Sequence, residues 1–176
     1  MAYISMLMEM FHRDAMTYNV LFVCTHNSAR SILAEGLLNS LGGGHFVGHS
    51  AGSHPAGAVN PHALQTLQRM RIPTDGFRSK DWAEFAQPGA PELDFVFTVC
   101  DNAAGEVCPV WPGQPMTAHW GVADPAAFQG NDEQTAQVFW DTALVLKRRI
   151  ELMLALPMAS LDRLAIRREI KDIGTR

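Results

Sequence analysis

No stretch of the 176-residue chain gathers lysine or arginine into a tract, and 14 basic residues face 18 acidic ones. With a formal net charge of −4 there is no basic footprint for a phosphate backbone or an anionic bilayer, which excludes a general nucleic-acid or membrane-surface binder. Long apolar runs are missing too, and none nears the roughly 18 residues that a membrane span needs. Cysteine is scarce and odd in number: Cys24, Cys100 and Cys108. Three thiols do not make a secreted disulfide framework. They point to a reducing compartment, the cytoplasm, where thiols have chemical or packing roles. The seven histidines show no metal-ligand spacing, so no metal is expected, and His54 and His119 read as polar edge residues. Repeats, low-complexity runs and linkers are also absent.

What remains is an ordinary globular composition, 47% apolar and 18% charged, in a chain long enough for one core. Residues 1–17 read as a short amphipathic extension, because Glu9, His12, Arg13 and Asp14 interrupt any signal-like stretch. Met16 is a second candidate start, so the extension is expected to be inessential. "NVLFVC" (19–24) reads as a buried strand, "HFVGHSAGS" as a second, "LDFVFTVC" (93–100) as a third and "MTAHW" as a short fourth. Between them, Leu33, Leu37 and Leu41 share one face of a helix that "GGG" (42–44) ends. "NPHALQTLQRM" starts a helix with an asparagine cap and a proline, and "WAEFA" suggests a short one. Asn131 and Gln134 form a capping-box signature. The helix behind it buries Phe139, Ala143, Leu146, Ile150 and Met153 and stops at Pro157. The tryptophans read as core. Ser160 is the expected cap of a last helix, with Leu161, Leu164 and Arg168 along one side. Domain bounds are 18–157, with 158–176 as a C-terminal helix. Strands alternating with helices predict a single α/β doubly wound domain, a four-stranded parallel sheet with helices on both faces. Ligands bind such sheets at the strand carboxyl ends, and both Cys24 and Cys100 fall there.

The loop "CTHNSARS" then carries chemistry. Between a strand and a helix, Thr25, His26, Asn27, Ser28, Ala29 and Arg30 can wrap backbone N–H groups around a tetrahedral anion at the helix N-terminus. Arg30 supplies a planar fork of donors for two anion oxygens. The same positive field favours the thiolate of Cys24, a candidate nucleophile, and the Ser31 hydroxyl can donate to it. Asn27 is expected to serve the loop structure by bridging backbone groups.

This loop resembles the anion-binding loop of the low-molecular-weight tyrosine phosphatases and of the arsenate reductases built on that fold. "SAGS" (50–53) and "ADP" (123–125) fit as well, so the resemblance covers about residues 18 to 156. Two departures stand out. The family usually has glycine where His26 stands, a position expected to need positive φ, where histidine is among the tolerated residues. Many relatives have a second loop cysteine where this chain has Ala29, which leaves the nucleophile intact. Cys100 and Cys108, eight residues apart, are like the two redox cysteines of the arsenate reductases, whereas "DPAAF" lacks the tyrosines that line a phosphotyrosine slot.

The resemblance therefore implies an arsenate reductase. Cys24 attacks arsenate, Asp124 acts as general acid, and a Cys24/Cys100/Cys108 disulfide relay releases arsenite and ends on an external thiol reductant. Thioredoxin is the family's usual donor for three cysteines, with glutaredoxin and glutathione as the alternative, and no cofactor is tightly bound. A tyrosine phosphatase is the second reading, and an arsenite- or metal-binding thiol protein the third. Some members bind potassium beside the loop. Asn27, Ser50 and Glu35 could match that site, but Lys80 would place an ammonium there, so no potassium requirement is expected. If residues 100–108 were helical, the Cα atoms of Cys100 and Cys108 would lie about 12 Å apart, beyond the roughly 4.4–6.8 Å of a disulfide. Oxidation is then expected to unwind the segment, which Gly105 and Pro109 make possible.

Overall fold

The computed structural model describes residues 16–176; the N-terminal extension expected over residues 1–17 lies almost wholly outside them. Four parallel strands, β1 (Tyr18–Cys24), β2 (Phe46–Gly52), β3 (Phe95–Thr98) and β4 (Met116–His119), form one sheet in the order β2-β1-β3-β4. The chain steps from β1 to β2 on one side, then returns to place β3 on the other. Strand order therefore reverses between β1 and β3, and the crevice for a ligand opens at their carboxyl ends. Register pairs Val23 with Thr98, and the Val99 N–H continues the ladder onto the Val23 carbonyl at 2.8 Å. Cys24 and Cys100 thus emerge side by side at this switch point.

β1 is the central strand, and Val20 through Cys24 are all buried, as a parallel strand covered on both faces must be. Phe22, Phe97 and Trp120 stack beside it, Phe97 on Trp120 at 3.9 Å between centroids. Trp120 and Trp111 are core as expected, while Trp140 is half-buried under the Arg69 guanidinium.

The helices are α1 (Arg30–Leu41), α2 (Pro61–Arg69), the single turn α3 (Asp101–Ala104), α4 (Asp132–Leu154) and α5 (Arg163–Ile173). Two of the expected start signals act. The Asn60 side chain accepts from the His62 N–H ahead of α2, and Asn131 and Gln134 close a complete capping box on α4. α1 ends at Gly42, followed by Gly43 and Gly44 at positive φ. "WAEFA" forms a 3-10 turn capped by Asp81.

Three expectations are corrected. The last helix is capped by Asp162, not Ser160. Its buried side is Ile166, Ile170 and Ile173, while Leu164 is exposed, because the isoleucines repeat every three to four residues and outweigh the leucines. Third, only residues 101–104 of the segment between Cys100 and Cys108 are helical. Gly105 ends that turn, and residues 107–110 have no regular structure.

Candidate active site

Four main-chain bonds hold the loop after β1. The N–H groups of Ser53, His54, Ala56 and Asn60 donate to the carbonyls of Cys24, Thr25, His26 and Ser28, at 3.2, 2.8, 2.9 and 2.9 Å. A trans peptide points its N–H opposite its C=O, so the N–H groups of Thr25, His26, Asn27 and Ala29 turn away from these anchors. Anchoring the carbonyls outward frees the amides for an anion. Gly52 makes the approach possible: a Cβ there would lie 2.6 Å from the Thr25 carbonyl oxygen.

Positive φ falls on Asn27, at 46°, and not on His26 as the family's glycine suggested. Asparagine tolerates this region because its short polar side chain bonds locally. The Lys80 main-chain N–H donates to Asn27 Oδ1 at 2.9 Å, which fixes the amide. Its Nδ2 then donates to Ser31 Oγ at 2.9 Å. Ser31 Oγ lies 2.9 Å from Cys24 Sγ and can give its own hydrogen to the sulfur when that is a thiolate, which has none to donate. A relay from Lys80 through Asn27 and Ser31 thus delivers one hydrogen bond to the sulfur of Cys24. Cys24, Asn27 and Ser31 are all buried. Asn27 bridges as expected, but to a side-chain hydroxyl and to a residue 53 positions away.

Arg30 opens α1. Its guanidinium reaches across to the loop after β4, donating to the Val122 carbonyl at 3.1 Å and pairing with Asp124 at 3.5 Å. Asp124 Oδ1 caps the turn that follows, accepting from the Ala126 N–H at 3.0 Å, and Oδ2 faces Arg30. Nucleophile loop, arginine and acid therefore share one rim.

Cys100 is buried and caps α3, its sulfur accepting from the Ala103 N–H at 3.4 Å. Thr25 Oγ1 lies 3.4 Å from the same sulfur and links it to the loop. The structure does not bring Cys108 to this group. Its thiol is free and exposed, touching only the Glu106 carbonyl at 3.8 Å, and it lines a groove of about 400 Å³ with Thr98, Trp111 and His119. Local desolvation and the Glu106 carboxylate push the Cys108 thiol up from its ordinary value. Glu106 also accepts from Ser53 Oγ at 2.8 Å, with His54 at 3.7 Å. His119 lies 2.8 Å from both Asp101 and Thr98, so both histidines are edge residues with carboxylate partners.

Behind the loop, Lys80 Nζ lies 3.4 Å from Ser50 Oγ and 3.8 Å from Glu35, and Ser50 donates to Glu35. Burial raises Glu35 and lowers Lys80 from their usual values. The ammonium stands among the groups named as a possible potassium site. Among the described residues no three of His, Cys, Asp and Glu gather as metal ligands, so the three thiols do not form one cage. No helix of the described residues is long and apolar enough to cross a membrane.

Sequence reasoning did not single out Gly52 by its contact, the Lys80 main chain, the Val122 carbonyl or Glu106. Only the "SAGS" match hinted at the first. The others act through backbone groups or across long separations, and leave no residue-type signal.

Comparison with known proteins agrees with this geometry. An arsenate reductase of Halalkalibacterium halodurans is 36% identical over 120 residues, 68% of this chain and 83% of that one. A glutaredoxin arsenate reductase of Synechocystis is 30% identical over 136 residues, 77% and 95% of the two chains. A solved arsenate reductase in its oxidised state superposes with a TM-score of 0.64 at 27% identity, over 79% of this chain and 98% of the other. The family model described as low molecular weight phosphotyrosine protein phosphatase matches residues 19–164, and the chain belongs to that family, alongside its arsenate reductases.

Proposed function

We propose that this protein is an arsenate reductase whose residues act as a three-thiol relay. The observation that carries the reading is a second buried thiol, Cys100, at the end of the adjacent strand, tied to the anion loop through Thr25. A phosphatase has no use for it. Arsenate sits on the loop amides of Thr25 to Ala29 with Arg30 across two oxygens. The Cys24 thiolate attacks arsenic, and Asp124, protonated when the anion is bound, gives its proton to the departing oxygen, which leaves as water. Cys100 attacks the Cys24 sulfur. The sulfur–arsenic bond breaks with its electron pair on arsenic, so arsenite leaves reduced by two electrons and a Cys24–Cys100 disulfide remains. Cys108 then attacks Cys100, frees Cys24 as thiolate and leaves a Cys100–Cys108 disulfide for an external dithiol.

The raised thiol of Cys108 and its outward place support a late role: it is a poor nucleophile until the segment moves. Opening the single turn Asp101–Ala104 is all the unwinding the relay asks for. We read the donor as thioredoxin, from the three-cysteine arrangement. The Synechocystis relative is named for glutaredoxin, so both systems enter the test. The reading places the protein in the cytoplasm and takes Lys80 as a tethered cation that removes any need for potassium.

The test is arsenate-dependent NADPH oxidation coupled to the thioredoxin or the glutaredoxin system, beside hydrolysis of an aryl phosphate. Turnover with thioredoxin and slow ester hydrolysis are expected. Fast hydrolysis without arsenate turnover would favour the phosphatase. Stoichiometric uptake of arsenite without turnover would favour the thiol-binding reading.

A further inference from the structure

α5 begins at Arg163, where the family match ends at residue 164, so nearly all of the helix lies beyond the matched residues. Its core side chains Ile166, Ile170 and Ile173 are buried. Apart from Arg163, which donates to the Gln114 carbonyl at 2.6 Å, its polar contacts to the sheet gather at the start of the loop that carries Asp124. Trp120 Nε1 donates to the Ile170 carbonyl at 2.8 Å. Gly174 comes so close that a Cβ there would lie 2.2 Å from the His119 carbonyl oxygen.

The centre of this contact is Arg149 of α4. It is 8% exposed, and among the described residues no aspartate or glutamate side chain pairs with it. Its donors go to main-chain oxygens instead: Nη1 to the Trp120 and Gly121 carbonyls at 2.8 and 3.1 Å, and Nε to Arg176 at 3.1 Å. A buried guanidinium is costly to desolvate, and an apolar side chain would fill the same space. Its distinctive contribution is directional: Nη1 holds two successive carbonyls while Nε, fixed in the same plane, holds Arg176. The next residue, Val122, is held by the Val99 carbonyl through its N–H and receives Arg30 on its own carbonyl, and Asp124 follows two residues on.

We infer that Arg149 and α5 form a brace that sets the place of Asp124, with Arg149 as a positioning residue for the proton-transfer step. The inference rests on Asp124 being the acid, and the test separates the two. Single-turnover arsenite release is measured for wild type, Arg149→Gln, Asp124→Asn and the double variant, with phosphate affinity alongside. Arg149→Gln is expected to slow release about tenfold, the scale of a small misplacement of a reacting group. Phosphate affinity should stay within about threefold, since the loop amides are anchored independently. Asp124→Asn is expected to slow release by about 10² to 10⁴. Adding Arg149→Gln to it should cost nothing more, because a brace has no work once its acid is gone. A merely structural role would multiply the two losses, and that result overturns the brace.

Wild-type release by Arg149→Gln with a slow Asp124→Asn sinks the brace alone. Wild-type release by Asp124→Asn sinks the acid and the brace with it. Should Arg149→Gln fail to fold, Gly174→Ala carries the test by pushing the end of α5 off the His119 carbonyl with the guanidinium intact. It should slow release several-fold at unchanged phosphate affinity, and wild-type release would overturn the proposal.

Discussion

The two thiol-bearing ends of the sheet are built to opposite purposes. The loop from Cys24 to Arg30 has four carbonyls anchored by one neighbouring segment, a buried amide at positive φ, and a side-chain relay ending on sulfur. The segment from Cys100 to Val110 has one helical turn, sulfur contacts of 3.4 and 3.8 Å, and Val107 and Val110 almost fully exposed. Its longer-range ties, Asp101 with His119 and Glu106 with Ser53 and His54, are exposed or partly exposed and worth at most about 1 kcal/mol each. A site that must hold an anion before charge moves gains from rigidity. In the proposed relay, a segment that carries one thiol to another gains from weak ties that break at little cost. The firmly anchored loop and the loosely tied segment are separated by one strand spacing.

The sharpest way to break this comparison is at the rigid end. Cys24→Ser is expected to give no arsenite above background while folding normally, because a serine hydroxyl stays protonated in the same field. Arg30→Lys should cost about 10² to 10³ in turnover, since an ammonium cannot make the two-point clamp. Near-normal turnover in Cys24→Ser would remove the mechanism altogether.

At the loosely tied end, Cys108→Ser is expected to stop the cycle after one turnover, with Cys24 bonded to Cys100. Peptide mapping after a single addition of arsenate reads this directly. Full cycling with thioredoxin would mean that an external thiol resolves the first disulfide and the segment need not move.

A smaller effect tests what backs the loop. Lys80→Met leaves the Glu35 carboxylate without its ammonium and should destabilise the protein by about 3 kcal/mol at pH 7. Glu35 is already raised by burial, and losing Lys80 raises it further, so acidification lets it take up a proton and become neutral. The loss, measured by urea unfolding, should therefore shrink at pH 5. An equal loss at both pH values would show that Lys80 contributes packing and not charge. Wild-type turnover unchanged by added potassium is the companion expectation.

The smallest effect belongs to Glu106→Gln. The amide keeps an acceptor for Ser53 but removes the charge that helps hold Cys108 up. More of that thiol is then ionised near pH 8, and its alkylation should quicken about threefold. An unchanged rate would assign the shift to desolvation alone.

Local signals were enough for much of this protein. Apolar runs ending in turn-formers placed the four strands, and Asn60–Pro61 and Asn131 with Gln134 placed two helix starts, because caps and periodicity act within a few residues. The spacing of Cys24, Arg30 and Ser31 after a buried strand was legible for the same reason: loop, strand end and helix start are contiguous in the chain. Other features were decided only by tertiary contact. Asn27 takes the positive φ because Lys80, 53 residues away, holds its amide. The turn after Cys100 ends at Ala104 although alanines and Glu106 favour helix, with Gly105 closing it and Glu106 tied to Ser53. Arg149 reads in sequence as one more charge on an amphipathic helix. Its carbonyl partners carry no residue type, so no pattern of side chains could announce them. Sequence determines which groups are present and how neighbours fold; where backbone carbonyls and distant side chains meet is settled by the packing of the whole sheet.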